Sequence, residues 1–408
     1  AASDVYKRQG SYGEVGNDQI GGDRFLYLPS SYGAASDSGV NKYNFGLASN
    51  PYTSLMIVEN KIGNPDLTWE KAKKMNVGVD LNLFNNCLTA SFDIFKEKRN
   101  NILANRSTSP MIIGANLPAY NFGEMENRGW EMDLNFRHHI QDFHYWARFN
   151  YSFARNEIIY MDEVQKRYDY QMTTGRRKNQ FFGLIFDGYY NSWEEINALD
   201  RPKSSWSGNQ LQPGDVKYVD VNRDGVIDDY DMVPIGYTPV PEIIYGFSFG
   251  AQYKGFDFSI LFQGADNVSI KYFGRSMWPF AKGEESAKSL IKERWTQERY
   301  EAGEKITFPR LSLNPNGETD HNYRPSTLWI RDASYLRLKN LEVGYTFTGG
   351  FVKRLNLNSV RLYFNGSNLF TWTDVVDLDP EAPSRSGNVE INTYPLQKVY
   401  NIGLNINF

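Results

Sequence analysis

The residues with the most chemistry per position lie in one twelve-residue stretch. Asp220-Val-Asn222-Arg-Asp224-Gly225-Val226-Ile-Asp228-Asp229-Tyr-Asp231 puts side-chain oxygens at its first, third, fifth, ninth and twelfth positions, and a glycine at the sixth. Calcium loops need that arrangement: oxygens on one concave side, a sharp glycine turn, and a backbone carbonyl from the seventh position, here Val226. Asp220, Asn222, Asp224, Val226, Asp228 and Asp231 are therefore the expected ligands of a Ca2+ ion that would stiffen a loop and catalyse nothing. Asp231 stands where such loops usually carry Glu, and its shorter arm reaches less easily for two-oxygen coordination. The competing reading is a turn-rich loop held by Asx hydrogen bonds from the same side chains.

Other reactive chemistry is sparse. His138, His139, His144 and His321 have no spaced Cys or Glu partner, and the single Cys87 sits beside a turn with nothing to activate it. No phosphate-binding loop, Gly-x-Ser-x-Gly elbow or dinucleotide fingerprint occurs, so no catalytic residue is expected and the chain does not read as an enzyme. Tyr189, Tyr190, Trp193, Trp206, Trp278 and Trp329 could stack on sugar rings, but packing within loops is the simpler expectation. Ser192-Trp-Glu-Glu195 fits a helix capping box. Between Glu284 and Tyr300, Ala287, Leu290, Ile291 and Trp295 recur at helical spacing. Lys+Arg 44 against Asp+Glu 48 leaves a net charge of −4, which argues against a nucleic-acid partner.

The elements that must carry these loops are strands. The 408 residues include 15% aromatics, yet no run of eighteen apolar residues, so helical membrane spans are excluded. A period of two recurs instead. Met75, Val77, Val79, Leu81 and Leu83 alternate with Asn76, Gly78, Asp80 and Asn82; Tyr145, Ala147, Phe149, Tyr151 and Phe153 alternate with His144, Arg148, Asn150 and Ser152. The last residues do the same, with Tyr400, Ile402, Leu404, Ile406 and Phe408 on one face. Such alternation is the mark of strands with one greasy and one wet face. About nine such strands follow from Met75 onward, each near the ~9–11 residues of a tilted span. Between Leu338 and Leu341 the phase slips, which predicts a bulge.

The connections alternate in length. Short turns fall at 85–87, 138–142, 254–255 and 349–358, and long segments at 97–128, 158–243, 264–334 and 370–397. Short turns on one side and long loops on the other are the asymmetry of outer-membrane barrels. The fold class expected is thus all-β: an antiparallel transmembrane β-barrel wall with long extracellular loops that carry short helices. A secreted calcium-dependent carbohydrate-binding β-sandwich is the alternative, and a glycan-degrading enzyme on a β-rich scaffold a weaker one.

Several stretches carry a family resemblance. They are Asn64-Pro-Asp-Leu-Thr-Trp69-Glu70-Lys71, Asn127-Arg-Gly129-Trp130-Glu131, Gly214-Asp215-Val-Lys-Tyr218-Val-Asp220, Thr327-Leu-Trp329-Ile-Arg-Asp332-Ala-Ser-Tyr335-Leu-Arg337-Leu-Lys339-Asn340 and Gly366-Ser-Asn368-Leu-Phe370-Thr-Trp372-Thr. From about residue 50 to the end the chain resembles the SusC/RagA-like TonB-dependent outer-membrane transporters of Bacteroidetes. The resemblance implies a large barrel with an internal plug in the cell outer membrane, energised through TonB and importing oligosaccharides or peptides. It also implies a SusD-like lipoprotein partner at the cell surface. Members of that family carry a plug, a TonB-contacting segment and about twice as many strands, so residues 10–408 read as the C-terminal part of such a barrel, an incomplete wall. Residues 1–9 show no period of either kind and read as a non-native leader.

Overall fold

The computed structural model describes residues 4–18, 26–28, 33–34, 42–47, 52–55, 57–58, 62–108, 117–206, 211–272, 277–280, 289–312, 320–381, 388–389 and 396–408. One antiparallel sheet of ten strands dominates: β1 (Val5–Asn17), β2 (Glu70–Leu83), β3 (Leu88–Ala104), β4 (Tyr120–Ile140), β5 (Phe143–Tyr160), β6 (Ile243–Tyr253), β7 (Phe256–Asp266), β8 (Tyr335–Phe347), β9 (Ser359–Thr373) and β10 (Val399–Asn407). Each pairs with its neighbours in chain order, and β1 and β10 are the two edges of an open wall. Nine of the strands follow Glu70, as the alternation requires.

The greasy faces look outward and uncovered. Val77 is 61% exposed, Ile402 81% and Leu404 56%, and every other described sheet has only two or three strands. No second layer of the described chain seals these side chains, which removes the sandwich. Outward aromatics pair across strands, among them Trp130 with Tyr151 at 4.7 Å and Phe256 with Tyr345 at 4.5 Å. Phe143 to Phe153 is ten steps along the strand, about 33 Å, and about 25 Å of height at a barrel strand's tilt. The apolar band ends on one cross-strand row: Val77, Ile94, Trp130, Phe153 and Ile243. In the next outward row stand Met75, Lys96, Arg128 and Arg155.

Above that line the strands continue, and here they exceed the sequence expectation. β3 and β4 reach Ala104 and back from Tyr120, where a loop over 97–128 is the sequence expectation. The reason is the solvent. Once the outward face leaves lipid it no longer needs apolar residues, and ion pairs such as Lys96–Glu126 and Lys98–Glu124, both 2.9 Å, replace the hydrophobic alternation. The turn expected at 138–142 shrinks likewise to Gln141-Asp142, because His138 and His139 remain paired with Tyr145 and His144. At Lys254-Gly255 both residues take positive φ, 44° and 89°, the mirror-image turn that suits strand twist. The phase slip is a bulge at Lys339: Leu338 faces Phe262 while Asn340 faces Leu261. β1 begins at Val5, inside the residues without a period; Tyr6, Arg8, Gly10 and Tyr12 share its outward face, so pairing with β2 places them where local pattern does not.

The packed core lies outside the barrel wall, in the long loops. Leu184, Val216, Ile270, Met277, Trp278, Phe308, Tyr323, Trp329 and Val375 are buried together, drawn from the segments 161–242, 267–334 and 374–398. Tyr323 stacks on Trp329 at 5.4 Å, and the Trp329 indole N–H donates to the Asn322 carbonyl at 2.8 Å. The loops thus form a cap with a folded interior of its own.

Candidate functional site

The 220–231 loop lies in this cap, and its side-chain oxygens serve its own backbone. Asp231 is fully buried: one carboxylate oxygen accepts from the Val221 and Asn222 N–H groups at 2.8 and 3.4 Å, and the other from Asp228 N–H at 2.9 Å. Burial raises its carboxyl pKa, and the three donors pull the other way. Asp220 accepts from Asp224 and Gly225, Asn222 from Asp224, Asp224 from Val226, and Asp228 from Tyr230. The Val226 carbonyl is on the short strand Val226–Ile227, which pairs with Lys203–Ser204. Among the described residues no three His, Cys, Asp or Glu groups converge as a metal site would require. In this arrangement the loop is a self-capped clasp, pinned to the neighbouring loop by Tyr170 and Gln171, which donate to the carbonyls of Tyr230 and Asp229.

The loop aromatics divide clearly. Tyr189, Tyr190, Trp278 and Trp329 are buried, Trp206 packs on the core under the Arg324 guanidinium at 4.2 Å, and only Trp193 stays half-exposed. Loop packing accounts for five of the six. Ser192 does cap the short helix Trp193–Ile196 by accepting from Glu195 N–H, but the Glu195 carboxylate reaches one residue further back, to Asn191 N–H. The segment from Glu284 is broken: a tight turn at Ser289–Glu293 and a helix at Gln297–Glu301 capped by Thr296, with Ala287 outside the described residues.

A buried polar cluster fixes the cap. Asp215 receives Arg310 at 2.6 Å, Asn322 at 2.7 Å and Gln212 N–H at 2.8 Å, and Asn322 accepts from Val216 N–H at 2.9 Å. His321 donates from Nε2 to the Val216 carbonyl at 2.8 Å, so its Nδ1 accepts from the Ser204 hydroxyl at 2.9 Å. Burial holds its pKa below the usual value, although the Asp215 and Asp320 carboxylates face it and Arg201 opposes them. Above about pH 6.5 the ring is neutral whether the cap is folded or not, and the contribution is complete. As pH falls below about 6.5, the unfolded loop takes up the proton first and the cap loses stability. Protection of the Ser204, Val216 and Tyr218 amides, with the acid slowing of intrinsic exchange divided out, should therefore fall between about pH 6.5 and 5, and His321→Gln, which keeps an N–H donor, should flatten that fall.

Sequence reasoning missed Arg337 as a site. It is 2% exposed on the inward face of β8, where its three guanidinium nitrogens donate to Thr371 at 2.9 Å, Glu381 at 2.5 Å and Asp379 at 2.7 Å. Glu381 also accepts from the Tyr335 hydroxyl, and Asp379 from Leu396 N–H at 3.3 Å. One arginine thus ties both ends of the last long loop to the wall. Its signal in the sequence was an Arg on the polar phase of a strand beside a short-range pair of carboxylates, Asp379-Pro-Glu381.

The inward face below the cap is largely polar, with Trp146 and Leu261 among the exceptions. Arg361 pairs with Asp257 and, at 2.6 Å, with Glu342, which also accepts from Asn365 at 3.1 Å. Two cavities of about 380 and 390 Å3 open there. Ser91, Asp93, Glu131, Asp133, Asn150 and Ser152 line the first; Trp146, Arg148, Asn150, Ser248, Ser259 and Asn340 line the second.

An open wall of antiparallel strands with a lipid-suited outside, a largely polar inside, short turns at one end and a folded loop cap at the other has the form of an outer-membrane-type β-barrel wall. The chain belongs to the TonB dependent receptor-like β-barrel family, whose model matches residues 10–369. It is 27% identical over 423 residues to the TonB-dependent receptor P3 of Formosa agariphila, covering 99% of this chain and 39% of that relative. To the TonB-dependent receptor SusC of Bacteroides thetaiotaomicron it is 26% identical over 412 residues, covering all of this chain and 38% of SusC. The solved RagAB peptide importer in its closed-closed state superposes with a TM-score of 0.68 at 22% identity, over 99% of this chain and 41% of that one. The chain spans about two fifths of the length of these relatives.

Proposed function

We propose that the chain is the C-terminal wall and cap of a TonB-dependent outer-membrane importer of oligosaccharides. It would act with a SusD-like surface lipoprotein and be driven by TonB through an N-terminal part of a longer protein. The observation that carries this reading is the single wall itself: an uncovered apolar outside, a largely polar inside, and the described parts of the long loops 161–242, 267–334 and 374–398 gathered into a cap at one end. Nothing in the arrangement requires catalysis; selection by the cap and movement of a plug suffice. The resemblance of the sequence motifs to SusC/RagA-like transporters is the ground for a glycan cargo, and the likeness to the RagAB peptide importer supports peptides as the second reading.

Deleting the gene and measuring growth on defined glycans and on peptides as sole nutrient tests the proposal. Loss of growth on one glycan class, restored by the full-length gene, is the expected result. Unchanged growth on every glycan with loss on peptides would replace the cargo, and extraction of the protein from cells without detergent would end the importer reading. For 220–231 the geometry supports the self-capped clasp, and calcium binding is the alternative that a calorimetric titration with Ca2+ decides.

A further inference from the structure

One feature of the inner wall is at odds with its surroundings. Trp146 lies on the polar phase of β5, between His144 and Arg148, where the other residues from His144 to Ser152 are hydrophilic. It faces Gly250 of β6 in the register. Its indole lies flat on that glycine: a Cβ at Gly250 would come within 2.5 Å of the ring. One ring face is pressed on backbone and the side chain remains 38% exposed on the inward side of this wall. No aromatic ring of the described residues packs against it. Asn150 lies over Gly246 in the same manner, within 2.5 Å of a would-be Cβ. Two planar side chains are thus held flat on the wall by glycines that leave room for them.

The neighbours have matching chemistry. Arg148 is exposed and forms no ion pair with the described residues, unlike Arg337 and Arg361 on the same inner surface. Together with Ser248, Ser259, Asn340 and the apolar Ile260 and Leu261 these groups surround the cavity of about 390 Å3. An open indole face, a free guanidinium fork, two amides and two hydroxyls suit one kind of surface: a ring with an apolar face of C–H groups and a rim of adjacent hydroxyls. Beside this cavity, and sharing Asn150 with it, Asp93, Glu131 and Asp133 form an acidic stretch. Carboxylates accept hydroxyl protons well and repel carboxylate or sulfate substituents.

We propose that Trp146, Arg148 and Asn150 form a passage subsite on the inner wall for neutral sugar rings, met after the cargo has left the cap. Trp146 is three residues beyond the start of β5, close to the Gln141-Asp142 turn, whereas the cap is at the opposite end of the strand. The subsite therefore acts on transport rate and not on capture. This rests on the glycan reading above.

The test uses the full-length receptor in its own outer membrane, with labelled neutral glucan and xylan hexasaccharides, a galacturonan hexasaccharide and a labelled hexapeptide as probes. Trp146→Ala should slow uptake of the imported neutral hexasaccharide about tenfold, the scale of one lost ring stack. Trp146→Phe should keep most of the rate, and surface binding should change by less than twofold in both. Arg148→Gln should slow neutral uptake and leave the galacturonan fragment no better excluded. Equal outer-membrane abundance of the variants, read by immunoblot, shows that the barrel assembles. If neutral fragments are imported at an unchanged rate by Trp146→Ala, the subsite is wrong and the glycan reading stands. Unchanged uptake with new sensitivity to a large antibiotic would assign Trp146 to plug packing and also overturn it. Import of the hexapeptide alone would overturn the subsite and the glycan reading together.

Discussion

Arg337→Ala will raise the rate at which protease cuts the segment between Thr373 and Val399 by about a hundredfold in the full-length receptor. The side chain is 2% exposed and holds two carboxylates, Asp379 and Glu381, which are themselves only 10% and 20% exposed. Removing one partner of such a cluster strands charge in a poorly solvated place, at a cost of about 3–5 kcal/mol. Glu381 keeps Lys339 at 3.5 Å when the arginine is lost, which places the effect near the lower end. About 3 kcal/mol corresponds to about a hundredfold in the open population. Arg337→Lys retains the charge but loses the planar fork that reaches Thr371, Glu381 and Asp379 at once, so its effect should be intermediate. β9 and β10 remain paired over nine residues, Ser359 to Ser367, so the wall should persist while the loop opens. Cleavage at the parent rate in Arg337→Ala would show that the loop is held by something else.

The same contrast explains what the sequence revealed and what it did not. Where one face meets lipid and the other water, two solvents impose a period of two, and Val77, Ile94, Trp130 and Phe153 announce their strands. Beyond that row both faces meet water. Lys98 opposite Glu126, or Lys73 opposite Lys98, carries no period, so the upper third of β3 and β4 was invisible. The bulge at Lys339 was legible because a phase slip is itself a pattern. The cap core was only half legible: its tryptophans were plain, but which of them meet depends on loops separated by more than a hundred residues, as when Trp295 donates to Asn191 at 3.1 Å. Trp146 carried the clearest unread signal, an aromatic on the wet phase of a strand.

In the acidic loop, sequence offered calcium and Asx turns on equal terms, and Asp231 is the residue that separates them. Asp231→Ala would remove the buried carboxylate to which the half-buried N–H groups of Val221, Asn222 and Asp228 donate. Hydrogen bonds to a charged acceptor contribute about 1.5–3 kcal/mol each, but the 3.4 Å contact is weak and the three share one carboxylate. A combined loss of about 3 kcal/mol is expected, so these amides should exchange about a hundredfold faster. Asp231→Asn should cost less, because the amide oxygen still serves Val221 and Asn222 while its NH2 group opposes the Asp228 donor. The clasp reading requires these exchange rates to be the same in millimolar calcium and in chelator, since the stabilising partners are the loop's own N–H groups. An ion bound through Asp220, Asn222 and Asp224 would instead slow exchange across 220–231 when calcium is added, and Asp231→Ala would abolish that response. Because Tyr170 and Gln171 are bonded to the carbonyls of Tyr230 and Asp229, loosening the loop should also expose the turn at Asp169–Gln171. Faster exchange confined to 220–231, with residues 169–171 unchanged, would show that the clasp does not carry the neighbouring loop.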